Sequence, residues 1–160
     1  MSDDGDGIVV EALADLDDAH VRALLVDLEL EQQGSYDHPR QSRVQIDRGL
    51  PSLRAAFVGE NHLFVARDAQ AGIVGVCWCV LFDPGTGLEG EVAELYVAPD
   101  HRGHDIAGRL LDEAMRLFRG RQVTFACVWT RDDNPAAMAA YRRAGFAPTE
   151  QTVLTWLPLD

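Results

Sequence analysis

Apolar residues change their spacing several times along the chain, and each change marks an element. Ile8-Val9-Val10, followed by Ala12, reads as a short strand. Val21, Leu24, Leu25 and Leu28 recur at intervals of three and four, the stripe of a helix with one buried face, and Asp17 or Asp18 stands where a cap belongs. The stripe fades at Gln32-Gln33-Gly34, and Ser35 to Pro39 reads as a loop. Arg40 to Leu50 reads as helical, and Pro51 opens a second helical piece that ends near Gly59.

From Leu63 the texture becomes that of strands. Leu63 to Ala66, Ile73 to Phe82 and Glu89 to Val97 are separated by turn clusters at Asp68–Gly72 and Asp83–Gly87, which predicts an antiparallel meander. Pro99 stops it. Ile106 to Arg119 carries a strong helical apolar face, and Val123 to Trp129 returns to strand. Asn134 as cap, Pro135 at the first helical position and Gly145 just past the end frame a further helix. Thr152 to Leu157 reads as a last strand. A strand–helix–strand unit this late in the chain predicts a parallel pair joined to the meander.

Composition narrows the class. With 160 residues, 47% hydrophobic and 25% charged, the chain reads as one folded domain over 8–160 behind a flexible acidic leader at 1–7. The longest apolar stretch is too short to span a bilayer, and the first residues lack the features of a signal peptide. A cytoplasmic protein without membrane contact is expected. The formal charge of −12 repels phosphate backbones and argues against nucleic acid as a partner. Cys77, Cys79 and Cys127 form no C-x-x-C and read as free thiols in a reducing compartment.

The informative segment is Leu95-Tyr96-Val97-Ala98-Pro99-Asp100-His101-Arg102-Gly103-His104-Asp105-Ile106-Ala107-Gly108. It reads as strand, tight turn and helix start. Amides at a helix start lack intrahelical partners, and the helix dipole adds positive character; with small residues and Arg102 beside them they make a cradle for a diphosphate. Neither G-x-x-x-x-G-K-[ST] nor G-x-G-x-x-G at the opening of a βαβ unit is present, which disfavours the common nucleotide loops. His101 and His104 flank the turn without a third ligand at useful spacing, so no metal is expected.

A second segment, Asn134-Pro135-Ala136-Ala137-Met138-Ala139-Ala140-Tyr141-Arg142-Arg143-Ala144-Gly145-Phe146, follows the Val123–Trp129 strand. Together the two resemble the GCN5-related N-acetyltransferase (GNAT) family. Its acetyl-CoA loop reads Q/R-x-x-G-x-G/A, and its last helix reads N-x-x-A-x-x-x-Y-x-x-x-G-F. Asn134, Ala137, Tyr141, Gly145 and Phe146 match every fixed position of the helix pattern. The loop matches as Arg102 to Ala107, with Asp105 at a position where the family has glycine. Asp tolerates left-handed backbone better than most residues. Its carboxylate either points away to solvent or lies near the diphosphate and weakens the coenzyme's hold.

The resemblance implies an α/β fold with a mixed sheet of six to seven strands and four helices. It implies acetyl-CoA as co-substrate, its pantetheine arm along the backbone of Leu95, Tyr96 and Val97. Its diphosphate would lie on the loop of Arg102, Gly103, His104, Asp105, Ile106, Ala107 and Gly108, with Asn134 near the arm. Tyr141 matches the family's proton donor to the leaving thiolate, and a strand amide, that of Leu95, would hold the developing oxyanion.

For the base, Glu91 is favoured slightly over Glu94. They are three apart, so a regular strand sets them on opposite faces; a bulge, common in the family here, changes that parity. The acceptor site is expected at Tyr36 and Asp37, in the loop after Glu29 and Glu31, together with Glu91 and Glu94. An acidic cleft of this kind suits the primary amine of a cationic small molecule, aminoglycoside- or polyamine-like, attacking directly in a ternary complex. A non-catalytic acyl-CoA-binding regulatory module, a longer acyl donor and a protein or peptide amine stay open as alternatives. A homodimer through the last strand is a further expectation.

Overall fold

The structure is a computed structural model, and it describes residues 2–3, 7–15, 17–35, 40–50, 59–83, 87–150 and 154. Six strands form one sheet in sequence order: β1 (Ser2–Asp3), β2 (Ile8–Leu13), β3 (Glu60–Asp68), β4 (Gly72–Phe82), β5 (Glu89–Val97) and β6 (Phe125–Val128). Pairing is antiparallel from β1 through β5. It is parallel between β5 and β6, where Glu89 to Val92 face Phe125 to Val128. The described helices are α1 (Ala19–Gln32), α2 (Arg43–Gly49), α3 (Ile106–Gly120) and α4 (Pro135–Ala144). The expected helical piece after Pro51 and the expected strand at 152–157 lie outside the described residues, Leu154 excepted.

The apolar run of β4 is continuous because both of its faces are covered. Val76 and Trp78 face α1, where Val21, Leu24 and Leu25 pack with Leu63, Val65 and Tyr96. Cys77, Cys79 and Leu81 face α3, whose Ile106, Leu110, Leu111, Ala114 and Phe118 fill the other core. Gly90 lets α3 sit this close: a Cβ there would fall 2.9 Å from the Phe118 ring.

The helix ends follow local chemistry. Asp18 caps α1, accepting from the amides of His20 at 2.8 Å and Val21 at 3.3 Å. Ser42 and Gln45 form a reciprocal capping box on α2. Asn134 caps α4 by accepting from the Ala137 amide at 3.1 Å. Gly145 ends α4 at φ 101°, a conformation glycine takes without steric cost.

Candidate active site

The parallel pair is short. β5 runs on to Val97 after its last pairing with β6 at Val92, while β6 ends at Val128. Beyond that point the strands part, and a cleft of about 1040 Å³ opens between β5, the turn after it and α4. Of the residues singled out from the sequence, Glu94, Leu95, Tyr96, Val97, Arg102, Gly103, Asp105, Ile106, Ala107, Asn134 and Tyr141 line it. His104 stands in the exposed turn. Glu91 lies beside the cleft wall at Trp129. Tyr36 and Asp37 lie outside the described residues.

The floor of the cleft is irregular at one residue. Trp78 pairs with Glu94 and Cys79 with Val92, so Ala93 is an extra residue on β5, a bulge. Directly opposed residues share a face. Glu91 lies opposite Val80 and Glu94 opposite Trp78, and Val80 and Trp78 are two apart on β4. The bulge therefore brings both carboxylates to the α1 face, which resolves the parity question left open by their spacing.

Burial and company then separate the two. Glu94 is pushed up to about 7, chiefly by burial and further by the negative charges of Glu29 on α1 and Glu91. Glu91 is raised by burial too, but the Trp129 indole donates a hydrogen bond to it and opposes the shift. Glu94 is thus the carboxyl poised for proton transfer near neutrality, whereas Glu91 is partnered.

Tyr141 reaches the same gap from the other face. It is 8% exposed, sits among the α3-side core residues, and makes an edge contact with Phe146 at 6.0 Å between ring centroids. Burial, with Cys77, Glu94 and Cys79 as neighbours, pushes its phenol up, so the hydroxyl keeps its proton at neutral pH.

The turn between β5 and α3 has two unlike halves. Arg102 is held by α1: its guanidinium donates to both carboxylate oxygens of Glu31, at 2.9 and 3.1 Å, and its Nε donates to the Val97 carbonyl at 2.9 Å. It also stacks 5.5 Å from the Tyr96 ring centre, and the Tyr96 hydroxyl donates to Glu31 at 2.8 Å. Burial and that acceptor push the Tyr96 phenol up to about 12.

The other half is backbone. The first bond of α3 runs from the Arg109 amide to the Asp105 carbonyl at 3.1 Å, so the amides of Ile106, Ala107 and Gly108 precede any intrahelical acceptor. Asp105 stands at the cap with φ 55° and ψ 21°, the left-handed geometry that a glycine would supply, and its side chain makes no capping bond. Its carboxylate is turned instead to an ion pair with Arg143 on α4. An uncapped helix start opening into a cleft is the donor set that a diphosphate requires.

The Acetyltransferase (GNAT) family profile matches residues 21–146. The chain belongs to that family. This GNAT chain is 28% identical over 120 residues to a mycothiol acetyltransferase of Stackebrandtia nassauensis, an alignment covering 74% of this chain and 39% of that protein. It is 34% identical over 83 residues to N-alpha-acetyltransferase 30 of Schizosaccharomyces pombe, covering 52% of this chain and 55% of that one. The chain spans about two fifths of the length of the mycothiol acetyltransferases it matches.

Among solved structures, a putative acetyl transferase from Pyrococcus furiosus superposes with a TM-score of 0.70 at 19% identity, covering 95% of this chain and 99% of that one. An aminoglycoside acetyltransferase from an uncultured soil metagenomic sample, in complex with trehalose, superposes at 0.67 and 16% identity, covering 98% and 99%. These establish the GNAT fold.

Two features of the site escaped the sequence reading. Trp129 reads as the end of a strand, and only its placement beside Glu91 marks it. Arg143 reads as one of two arginines on a helix, and only the packing of α4 on α3 brings it to Asp105. Among the described residues no helix is long and apolar enough to cross a membrane.

Proposed function

We propose that this chain is an acetyl-CoA-dependent N-acetyltransferase whose acceptor is a primary amine on a small cationic molecule. One observation carries the reading: Glu94 and Tyr141 converge from opposite faces of the sheet on the gap where β5 leaves β6. Acetyl-CoA supplies an activated acetyl thioester there. The α3 amides and Gly103 hold its diphosphate end, and the freed backbone of Leu95 to Val97 accompanies its arm.

The acceptor arrives as an ammonium, since a primary amine titrates near pKa ~10. Glu29, Glu91 and Glu94 on the α1 side attract it, and Trp129, 60% exposed, offers an aromatic face beside them. Glu94, ionised above about 7, takes the amine's proton. Tyr141, which holds its proton, gives it to the departing sulfur. The likeness to mycothiol acetyltransferases and to the aminoglycoside acetyltransferase fold supports a small-molecule acceptor. The free thiols at Cys77, Cys79 and Cys127 fit a reducing compartment, the cytoplasm.

A second reading, a peptide α-amine as acceptor, draws on the similarity to N-alpha-acetyltransferase 30. Calorimetric titration with acetyl-CoA, followed by thiol release in the presence of polyamines, aminoglycosides or short peptides, tests both. Binding and release with the cationic small amines is the expected result. Release with peptides alone moves the assignment to the second reading. Binding without release under any amine leaves a non-catalytic acyl-CoA module, and no binding overturns acyl transfer altogether.

A further inference from the structure

The diphosphate loop carries a carboxylate where an anion is to dock, and α4 supplies a cation directly against it. Asp105 adopts the left-handed backbone in place of a glycine, leaves the α3 amides uncapped, and pairs with the Arg143 guanidinium. The pair lies over Gly108: a Cβ there would fall 2.5 Å from Asp105 Oδ1 and 2.6 Å from Arg143 Nη2, so a side chain at 108 would displace the ends of both. Asp105 and Arg143 both line the cleft beside Gly103, Ile106 and Ala107. Arg143 spends one nitrogen on Asp105 Oδ1, a guanidinium has five N–H donors, and the opposite charges of the two groups cancel.

We infer that Arg143 is a positioning residue for coenzyme binding, and that its task is to neutralise Asp105 so that this loop accepts a diphosphate. The inference rests on the acyl-CoA reading above. Asp105 by itself would set a negative charge at the start of α3, where the amides and the helix dipole favour an anion. Arg143 cancels that charge, and the carboxylate held against it makes no capping bond to the α3 amides. The loop's departure from glycine and the arginine two residues beyond Tyr141 are then two halves of one device, linking the diphosphate loop to the helix that carries Tyr141.

A four-protein cycle reads this out: the unaltered chain, Asp105→Gly, Arg143→Gln and the double variant, each titrated with CoA by calorimetry. Arg143→Gln is expected to weaken CoA binding by about tenfold, the scale of one charge-assisted contact. In the Asp105→Gly background the same change costs about threefold or less, because no carboxylate remains to be neutralised. Arg143→Lys keeps the charge and holds most of the affinity. In turnover, the loss in Arg143→Gln falls on KM for acetyl-CoA rather than on kcat. Equal loss in both backgrounds, or no loss in either, overturns the inference while leaving the acyl-CoA reading intact. Failure of the unaltered protein to bind CoA overturns both.

Discussion

The two ends of the cleft are built from different materials. The end proposed for the diphosphate is main chain: an uncapped helix start, a glycine at the turn and a left-handed residue at the cap. The end proposed for the acceptor is made of side chains that three elements bring together: Glu29 from α1, Glu91 and Glu94 from β5, and Trp129 beyond β6. A main-chain site is specified by a few consecutive residues and survives changes around it. The side-chain site depends on the register of a strand, and one extra residue, Ala93, sets it.

That contrast can be tested most severely by the double variant Glu91→Gln, Glu94→Gln. Both carboxylates of the α1 face are then lost, while the bulge at Ala93 and the register of β5 on β4 are kept. Turnover is expected to fall by about a thousandfold or more, the scale of losing a general base together with the neighbouring charge that attracts the amine. CoA affinity is expected to fall far less, because the amides proposed to hold the diphosphate lie on α3. Circular dichroism checks that the fold persists. Equal loss of both would show that the two ends are not separable.

Glu94→Gln is the next largest. It removes the proposed base and keeps the shape, and kcat/KM is expected to drop about a hundredfold at pH 8. In the unaltered enzyme the pH profile rises through about 7 as Glu94 ionises, and that limb disappears in the variant. A limb that persists assigns the base elsewhere. Tyr141→Phe follows, with kcat reduced about tenfold and CoA affinity held, since the ring stays in place and only the donated proton is lost. Trp129→Ala is expected to raise KM for the acceptor a few-fold without changing KM for acetyl-CoA, as befits an exposed aromatic face on the acceptor side alone.

The smallest effect is on stability and has a definite sign. Glu94 titrates at about 7 in the fold and at its ordinary 4.5 in the unfolded chain. Between those values the folded protein holds a proton that the unfolded chain has released, so stability falls as pH rises through that window. Glu94→Gln removes the penalty. Its melting temperature is expected to exceed that of the unaltered protein by a few degrees at pH 8 and to match it near pH 5.

Much of the architecture is legible in local sequence. The stripe at Val21, Leu24, Leu25 and Leu28, the meander from Leu63 to Val97 and the punctuation of α4 by Asn134, Pro135 and Gly145 are local signals, and each lands where the spacing expected it. The two motifs that carry the family resemblance are local as well, because contiguous residues make both the helix start and the tyrosine helix. The bulge was not readable: Glu-Val-Ala-Glu-Leu fits a straight strand as well as a kinked one, and only pairing with β4 decides.

The chain's own letters determined the order of elements, the turn that opens α3 and the candidacy of Glu91, Glu94 and Tyr141, because propensity, capping and periodicity act over a few neighbouring residues. The tertiary structure alone decided which carboxylate is buried and raised, that Trp129 partners the other, that Glu31 engages Arg102, and that Arg143 meets Asp105 across 38 positions of sequence. Charge and burial depend on distances in space, and those distances are set by strand register and helix packing, which no short stretch of sequence contains.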